Sequence, residues 1–378
     1  MQRRKTLTEA FSGLSIEPGN SPSDSARVSL VSNLRRTLGK SFPHWGSIRG
    51  RAMRATFTIK MDRNYDYFLT DDDPDELFAQ TEGLAEEVQG MVSILNERQE
   101  KAYENFMIES LSELIFGSNN IEGAGLGHDT TVRICREIFS GTTDARHIRL
   151  RTTEEENALK YVKAKNGESK SEAVIRSRKE IVQHALALKH MMVQMVSQNQ
   201  SLSEKLICDT HRVLTQGIKS EDGSSSDTYG GIYRTTEVVA GLNTFTPFSL
   251  IPSAMKSLVD DFNWDITKAE EDGALDAYAL GAKYCHQFVN VHPFLDGNGR
   301  ICRLILNCIL LKYAGIVIVL GEKEDSREDY NVIAANATIA EQQEEESRSR
   351  VPWAELSSFV LGRGAAKMRE LRDSLRRD

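Results

Sequence analysis

Two apolar helical patterns meet across residues 292–300, and that meeting constrains the chain more than anything else in it. Upstream, ALDAYALGAKYCHQFVNV has the pattern of a helix; downstream, ICRLILNCILLKYAG has the pattern of another. In the second, Ile301, Leu304, Ile305, Cys308 and Ile309 fall at i, i+3, i+4, i+7 and i+8, the spacing of a buried helix face. The join is His292-Pro293-Phe294-Leu295-Asp296-Gly297-Asn298-Gly299-Arg300, a tight loop between two core helices. Gly297 and Gly299 permit backbone angles closed to other residues. Successive amides in such a turn can converge on an anion. The loop also feeds into a helix N-terminus, whose free N–H groups and positive dipole attract phosphate.

Arg300 and Arg303 lie one turn apart on one face of that helix, and side chains lean back toward the N-terminus, so both are expected to point at the loop. Cations in a first turn oppose the helix dipole at ~0.3–1 kcal/mol each, a broken local rule of the kind functional sites show. A bound polyphosphate reverses the sign of that effect. Asp296 supplies a hard oxygen for Mg²⁺ beside phosphates, and His292 a group that can take a proton from a hydroxyl. Competing readings fail on spacing. No G-x-x-x-x-G-K-[ST] is present, the calcium-loop pattern does not fit around Asp296, and the Gly123, Gly125, Gly127 set lacks the dinucleotide spacing and ends a helix instead.

Elsewhere the chain is ordinary globular material, 40% hydrophobic and 27% charged. Its net charge of −8 argues against non-specific nucleic-acid binding. Its five cysteines form no C-x-x-C pair and read as reduced, mostly buried thiols. No apolar run approaches the ~20 residues that span a bilayer, so neither nucleic acid nor membrane is an expected partner. The N-terminus lacks an apolar signal core, and Glu9, Glu17 and Asp24 oppose a mitochondrial presequence; the expected location is the cytoplasm. Residues 1–75 are rich in Ser, Arg, Gly and Pro and are expected to be disordered or a loosely ordered arm. From 76 to 378 helical patterning dominates. Pro74 fits a helix start, residues 82–118 form one long helix or two, Thr152 opens another, Ser201 or Ser203 caps the next, and Pro352-Trp353 opens the last. Around Gly241-Leu242-Asn243, glycine pairs and β-branched runs suggest a small hairpin.

The loop resembles the signature of the Fic family, H-x-F-x-[DE]-G-N-G-R-x-x-R, with every specified position matched from His292 to Arg303. The likeness extends over roughly residues 105–345, through LI at 206–207 and HRVL at 211–214, GGIYRTTEVV with TPFSLIPSAMKSLVDDFNW, and REDYNVIAANA. The resemblance implies an all-α fold, a Fic-type helical bundle with a small β-hairpin flap at about 232–250 and a catalytic loop at 292–303. It implies a protein adenylyltransferase using ATP and Mg²⁺ to transfer AMP to a Ser, Thr or Tyr hydroxyl of a target protein docked at the flap. His292 would be the general base and Asp296 the metal ligand. Gly297, Asn298, Gly299, Arg300 and Arg303 would hold the phosphate chain, and Tyr330 and Asn336 would contact the nucleoside. Related enzymes often dimerise, which makes a homodimer an expected partner state.

Upstream, Ser118-Asn119-Asn120-Ile121-Glu122-Gly123 resembles the family's inhibitory motif [ST]-x-x-x-E-[GN], on a helix at about 104–123 that precedes the core. Ser118 and Glu122 share a helix face. The resemblance pairs Glu122 with Arg303, where a carboxylate takes the place of the γ-phosphate. The plain alternative is a solvated glutamate before a glycine cap. Two rival functions remain at this stage. One is removal of AMP, in which the same glutamate aligns a water. The other is an inactive binding module, against which the intact His292, Asp296 and Arg303 stand.

Overall fold

The computed structural model describes residues 29–40, 64–66, 74–143, 145–166, 171–220, 222–240, 243–272, 275–341 and 351–376. In chain order its helices are α1 (Leu30–Lys40), α2 (Pro74–Val92), α3 (Glu97–Ile121), α4 (His128–Ser140), α5 (Thr152–Asn166), α6 (Ser171–Met192), α7 (Glu204–Thr215), α8 (Ser226–Tyr229), α9 (Ile251–Asp272), α10 (Ala277–Val291), α11 (Asn298–Ala314), α12 (Glu324–Glu341) and α13 (Ala354–Arg376). Among the described residues the extended elements are β1 (Val239–Ala240) and β2 (Asn243–Thr244), antiparallel with Val239 opposite Thr244. No described helix is long and apolar enough to cross a membrane.

Local chemistry explains the boundaries. The stretch 82–118 is two helices because Asn96 breaks it with a capping box: its side chain accepts from the Gln99 amide at 2.9 Å, and the Gln99 side chain accepts from the Asn96 amide at 3.1 Å. Ser203 rather than Ser201 caps α7. Asp276 caps α10 by accepting from the amides of Tyr278 and Ala279, both at 3.0 Å.

α10 and α11 form the central pair, with α6, α7 and α9 packed around them and α13 bridging α10 and α2. Every residue of α11 except Gly299 is buried. The single apolar face read from the sequence is therefore only part of it; a helix covered on all sides is the signature of a core position. The turn after α11 meets α3 backbone to backbone. A Cβ on Gly117 would lie 2.2 Å from the Leu320 carbonyl oxygen, so only glycine fits there. The five cysteines are free thiols, all buried but for the half-buried Cys208.

One expectation is corrected. Within 1–75, Leu30–Lys40 is a docked helix, with Leu30, Val31, Leu34 and Leu38 buried at helical spacing against α3, α4 and the turn that follows α6. Arg35 clamps it to α3 through Glu100 at 2.7 Å and Glu104 at 3.0 Å. Asp66 also exchanges hydrogen bonds with the Ser358 hydroxyl on α13, at 2.9 and 3.0 Å. Four apolar side chains in a polar stretch bury enough surface to order a short helix only because partner helices already exist. The remainder of the expected arm lies outside the described residues.

Leu34→Ala should therefore lower the unfolding free energy by about 2–5 kcal/mol, the range for a fully buried leucine. Urea unfolding measures it, and a midpoint unmoved by the substitution would return this segment to a loosely attached arm.

Candidate active site

α10 ends at His292, whose backbone is left-handed (φ 49°, ψ 58°) and whose amide closes the helix on the Phe288 carbonyl at 3.1 Å. The imidazole lies flat on Phe245, with ring centroids 3.8 Å apart and planes 19° from parallel. Its Nδ1 is 3.1 Å from the Val289 carbonyl oxygen. A carbonyl can only accept, so Nδ1 carries the proton and Nε2 keeps its lone pair. Burial pushes the ring's pKa down to about 4; the Val289 contact opposes this, the Arg234 charge adds to it, and Glu122 and Asp296 oppose it. At neutral pH His292 is an uncharged imidazole with an open basic nitrogen.

The loop beyond it closes on itself. Phe294 is fully buried and anchors the turn. The Asn298 side chain bonds both main-chain groups of Phe294, accepting from its amide at 2.9 Å and donating to its carbonyl at 2.8 Å. The Asn298 side chain is thus committed to shaping the loop; what it can offer a phosphate is its backbone N–H. Gly297 is left-handed at φ 81°, and a Cβ there would press on Leu214 at 3.1 Å. His211, fully buried, donates from Nε2 to the Asp296 carbonyl at 2.8 Å and accepts at Nδ1 from the Gly231 amide at 2.8 Å, while stacking on Phe294 at 3.7 Å. Burial holds its pKa near 4 as well.

The charged residues divide between two partners. Arg300 turns back on the loop, donating to Asp296 Oδ1 at 3.2 Å, as expected. Arg303 does not. It reaches across to α3, donating from Nε to Ser118 Oγ at 2.8 Å and from Nη2 to the Ser118 carbonyl at 3.0 Å and Glu122 Oε1 at 2.6 Å. Burial works against the Arg303 charge, but Glu122, with Tyr330 and Cys302, outweighs it, so the guanidinium is held above its ordinary value. A Cβ on Gly299 would lie 2.2 Å from Glu122 Oε1. A carboxylate from α3 therefore rests directly on the first turn of α11, where a helix N-terminus receives anions. Arg300 Nε is buried without a hydrogen-bond partner, a cationic N–H still lacking an acceptor. A glycine cradle holding one anion, an unsatisfied guanidinium N–H and the Asp296 carboxylate together fit a phosphate chain with its metal.

Tyr330 and Asn336 part company. Tyr330 is buried behind Arg303, its ring 5.6 Å from the guanidinium. Asn336 is on the surface, donating to the Glu355 carboxylate at 3.1 and 3.3 Å, and the structure does not bring it to the loop. Two residues that hold the site were not singled out from the sequence, His211 and Arg234. Arg234 donates to the carbonyls of His292 at 2.8 Å, Thr236 at 2.8 Å and Thr246 at 2.5 Å. The available signal was position alone, since both fall in segments that carry the family resemblance.

Fold and loop define a helical protein that presents a neutral histidine beside an anion-receiving helix N-terminus. The Fic/DOC family model matches residues 201–310, a stretch that contains α7, α10 and the loop. The chain is 39% identical over 85 residues to a Fido domain-containing protein of Dictyostelium discoideum, covering 22% of this chain and 55% of that one. It is 30% identical over 141 residues to the protein adenylyltransferase fic-1 of Caenorhabditis elegans, covering 36% of this chain and 25% of that one. The chain thus spans about half the length of the first relative and a quarter of the second. The fold is similar to the crystal structure of a Fic domain containing signaling protein from Bacteroides thetaiotaomicron, with TM-score 0.57, 18% identity and coverage of 78% of this chain and 97% of that one.

The buried histidines set a pH dependence. Their folded pKa values lie near 4, below the ~6.5 of an unfolded histidine. Only the unfolded chain takes up these protons between those values, so their contribution is complete above pH 6.5 and is lost as pH falls toward 4. At pH 5 the loss is about 2 kcal/mol for each ring. Urea unfolding at pH 7 and 5 measures it, and His211→Gln should reduce the difference by about 2 kcal/mol; a variant as pH-sensitive as the parent would show that His211 is not held neutral.

Proposed function

We propose that this chain transfers AMP from ATP to a hydroxyl of a protein target, and that Glu122 restrains the transfer. The observation that carries the reading is a neutral His292 with Nε2 open at the mouth of the α11 N-terminus. Nε2 takes the proton of the target's hydroxyl. The freed oxygen forms a bond to the α-phosphorus of ATP, the bond from that phosphorus to the bridging oxygen breaks, and pyrophosphate leaves. The amides of Asn298, Gly299 and Arg300 and the Arg300 guanidinium lie where the phosphate chain is to be held, so the charge is met by groups already in place. Mg²⁺, held by Asp296 with the phosphates, would supply Lewis-acid neutralisation of that charge. The loop through β1 and β2 is the place for a target segment to add as a strand, a general mode of peptide recognition.

Restraint follows from the same geometry. While Glu122 sits on Gly299 and holds Arg303, ATP meets a carboxylate where its distal phosphate needs a cation. A hydrogen bond to a charged group contributes about 1.5–3 kcal/mol, so releasing it should raise turnover roughly 10–100-fold.

Purified protein with Mg²⁺ and α-labelled ATP, counting self-modification, tests both parts. Glu122→Gly should label more strongly than the parent by that factor, and adding His292→Ala should reduce labelling by about 10²–10⁴. Equal labelling by parent and Glu122→Gly would remove the restraint and keep the enzyme. No labelling by any variant, with ATP binding absent, would make the chain a binding module; loss of AMP from a pre-labelled protein would point to the reverse reaction.

A further inference from the structure

His292 and Asn199 are the non-glycine residues with positive φ among those described, at 49° and 53°. Such a conformation disfavours a side chain and persists where surrounding contacts over-determine it. At His292 the contact on the carbonyl side comes from one residue. Arg234 Nε donates to the His292 carbonyl at 2.8 Å, and the Arg234 amide donates to the next carbonyl, Pro293, at 2.9 Å. The Arg234 side chain has no exposed surface.

The rest of the same guanidinium holds a different part of the chain. Nη1 donates to the Thr236 carbonyl at 2.8 Å and Nη2 to the Thr246 carbonyl at 2.5 Å. These two carbonyls bracket the loop that carries β1 and β2. Just inside its far end, Phe245 lies on the His292 ring at 3.8 Å, and the Thr246 amide reaches the Asn290 carbonyl at 3.3 Å. One planar group with fixed donor directions therefore ties three backbone segments together, which a lysine ammonium cannot reproduce with the same geometry.

We propose that Arg234 is a positioning residue that couples the 236–246 loop to His292, so that the seating of the loop and the direction of the catalytic imidazole change together. This rests on the AMP-transfer reading above. A target strand seated on the loop then also orients the base that will act on it. If Arg234 were only a buried charge satisfied for stability, its loss would weaken ATP binding and transfer together, in proportion to the folded fraction.

The test uses the full chain carrying Glu122→Gly, with Arg234→Lys and, because a buried-arginine variant can fail to fold, Phe245→Ala, which removes the ring contact without touching a buried charge. Measured for each are the melting temperature, ATP affinity, kcat for transfer, and the ¹⁵N histidine NMR signals of His292. The expected result is ATP affinity within ~2-fold of the parent and kcat lower by about 10–100-fold, the effect of an ångström-scale misplacement. The His292 signals should lose the single Nδ1–H form. Overturning results are a kcat loss matched by an equal loss of ATP affinity, or His292 signals unchanged in both folded variants. If the Glu122→Gly parent transfers nothing, the AMP-transfer reading fails, while the NMR signals still decide whether Arg234 and the loop govern the His292 ring.

Discussion

A helix buried on every side has an end that must be answered. The first-turn amides of α11 have no partners within the helix, and with its flanks buried they open only at the N-terminal mouth. The loop from His292 to Gly297 is built around that mouth. Phe294 pins it to the core, Asn298 ties it off, and His211 holds the carbonyl of Asp296. What remains at the mouth is a positive end, a carboxylate and a base. The anion found there, Glu122, is contributed by a helix nearly two hundred residues earlier in the chain.

Charge is managed in the same economical manner. Arg234, Arg300 and Arg303 are all buried, and buried cations persist only with hydrogen-bond partners. Arg234 is satisfied by carbonyls, Arg303 by Ser118 and Glu122, and Arg300 partly by Asp296. The histidines nearby are kept neutral by burial and, at His211, by bonds that use one ring nitrogen as donor and the other as acceptor. A protonated ring at His211 could not accept from Gly231, so the loop and the proton are mutually exclusive.

Much of this was legible in the sequence, and the reasons are local. Apolar spacing at Ile301, Leu304 and Ile305 marks a helix, and the glycines at 297 and 299 mark a turn whatever lies around them. The fate of a long polar side chain is not local. Nothing near Arg303 distinguishes turning toward the loop from turning toward Ser118, 185 positions away. An interior arginine such as Arg234 looks the same in sequence as a solvated one. Asn298 was legible as part of a loop, yet its side chain serves Phe294. In α1 the pattern Leu30, Val31, Leu34, Leu38 was present, but it is short and set in polar sequence, and its stability comes from neighbours formed elsewhere.

The end of α3 is held at nearly every position. Gly117 abuts the Leu320 carbonyl, Ser118 takes Arg303, Asn119 accepts from His184 at 2.8 Å, Asn120 donates to the Gly321 carbonyl at 2.9 Å, and the Gly125 amide donates to Glu180 at 2.9 Å. Withdrawing the helix would break all of these at once, whereas the Glu122 side chain keeps 32% of its surface exposed at the helix end. The carboxylate can therefore leave Arg303 by rotation of its own bonds. Side-chain rotation of this kind belongs to the picosecond-to-nanosecond range, and collective helix motion to microseconds and beyond. Parting of Glu122 from Arg303 accordingly asks for no slow rearrangement of the fold.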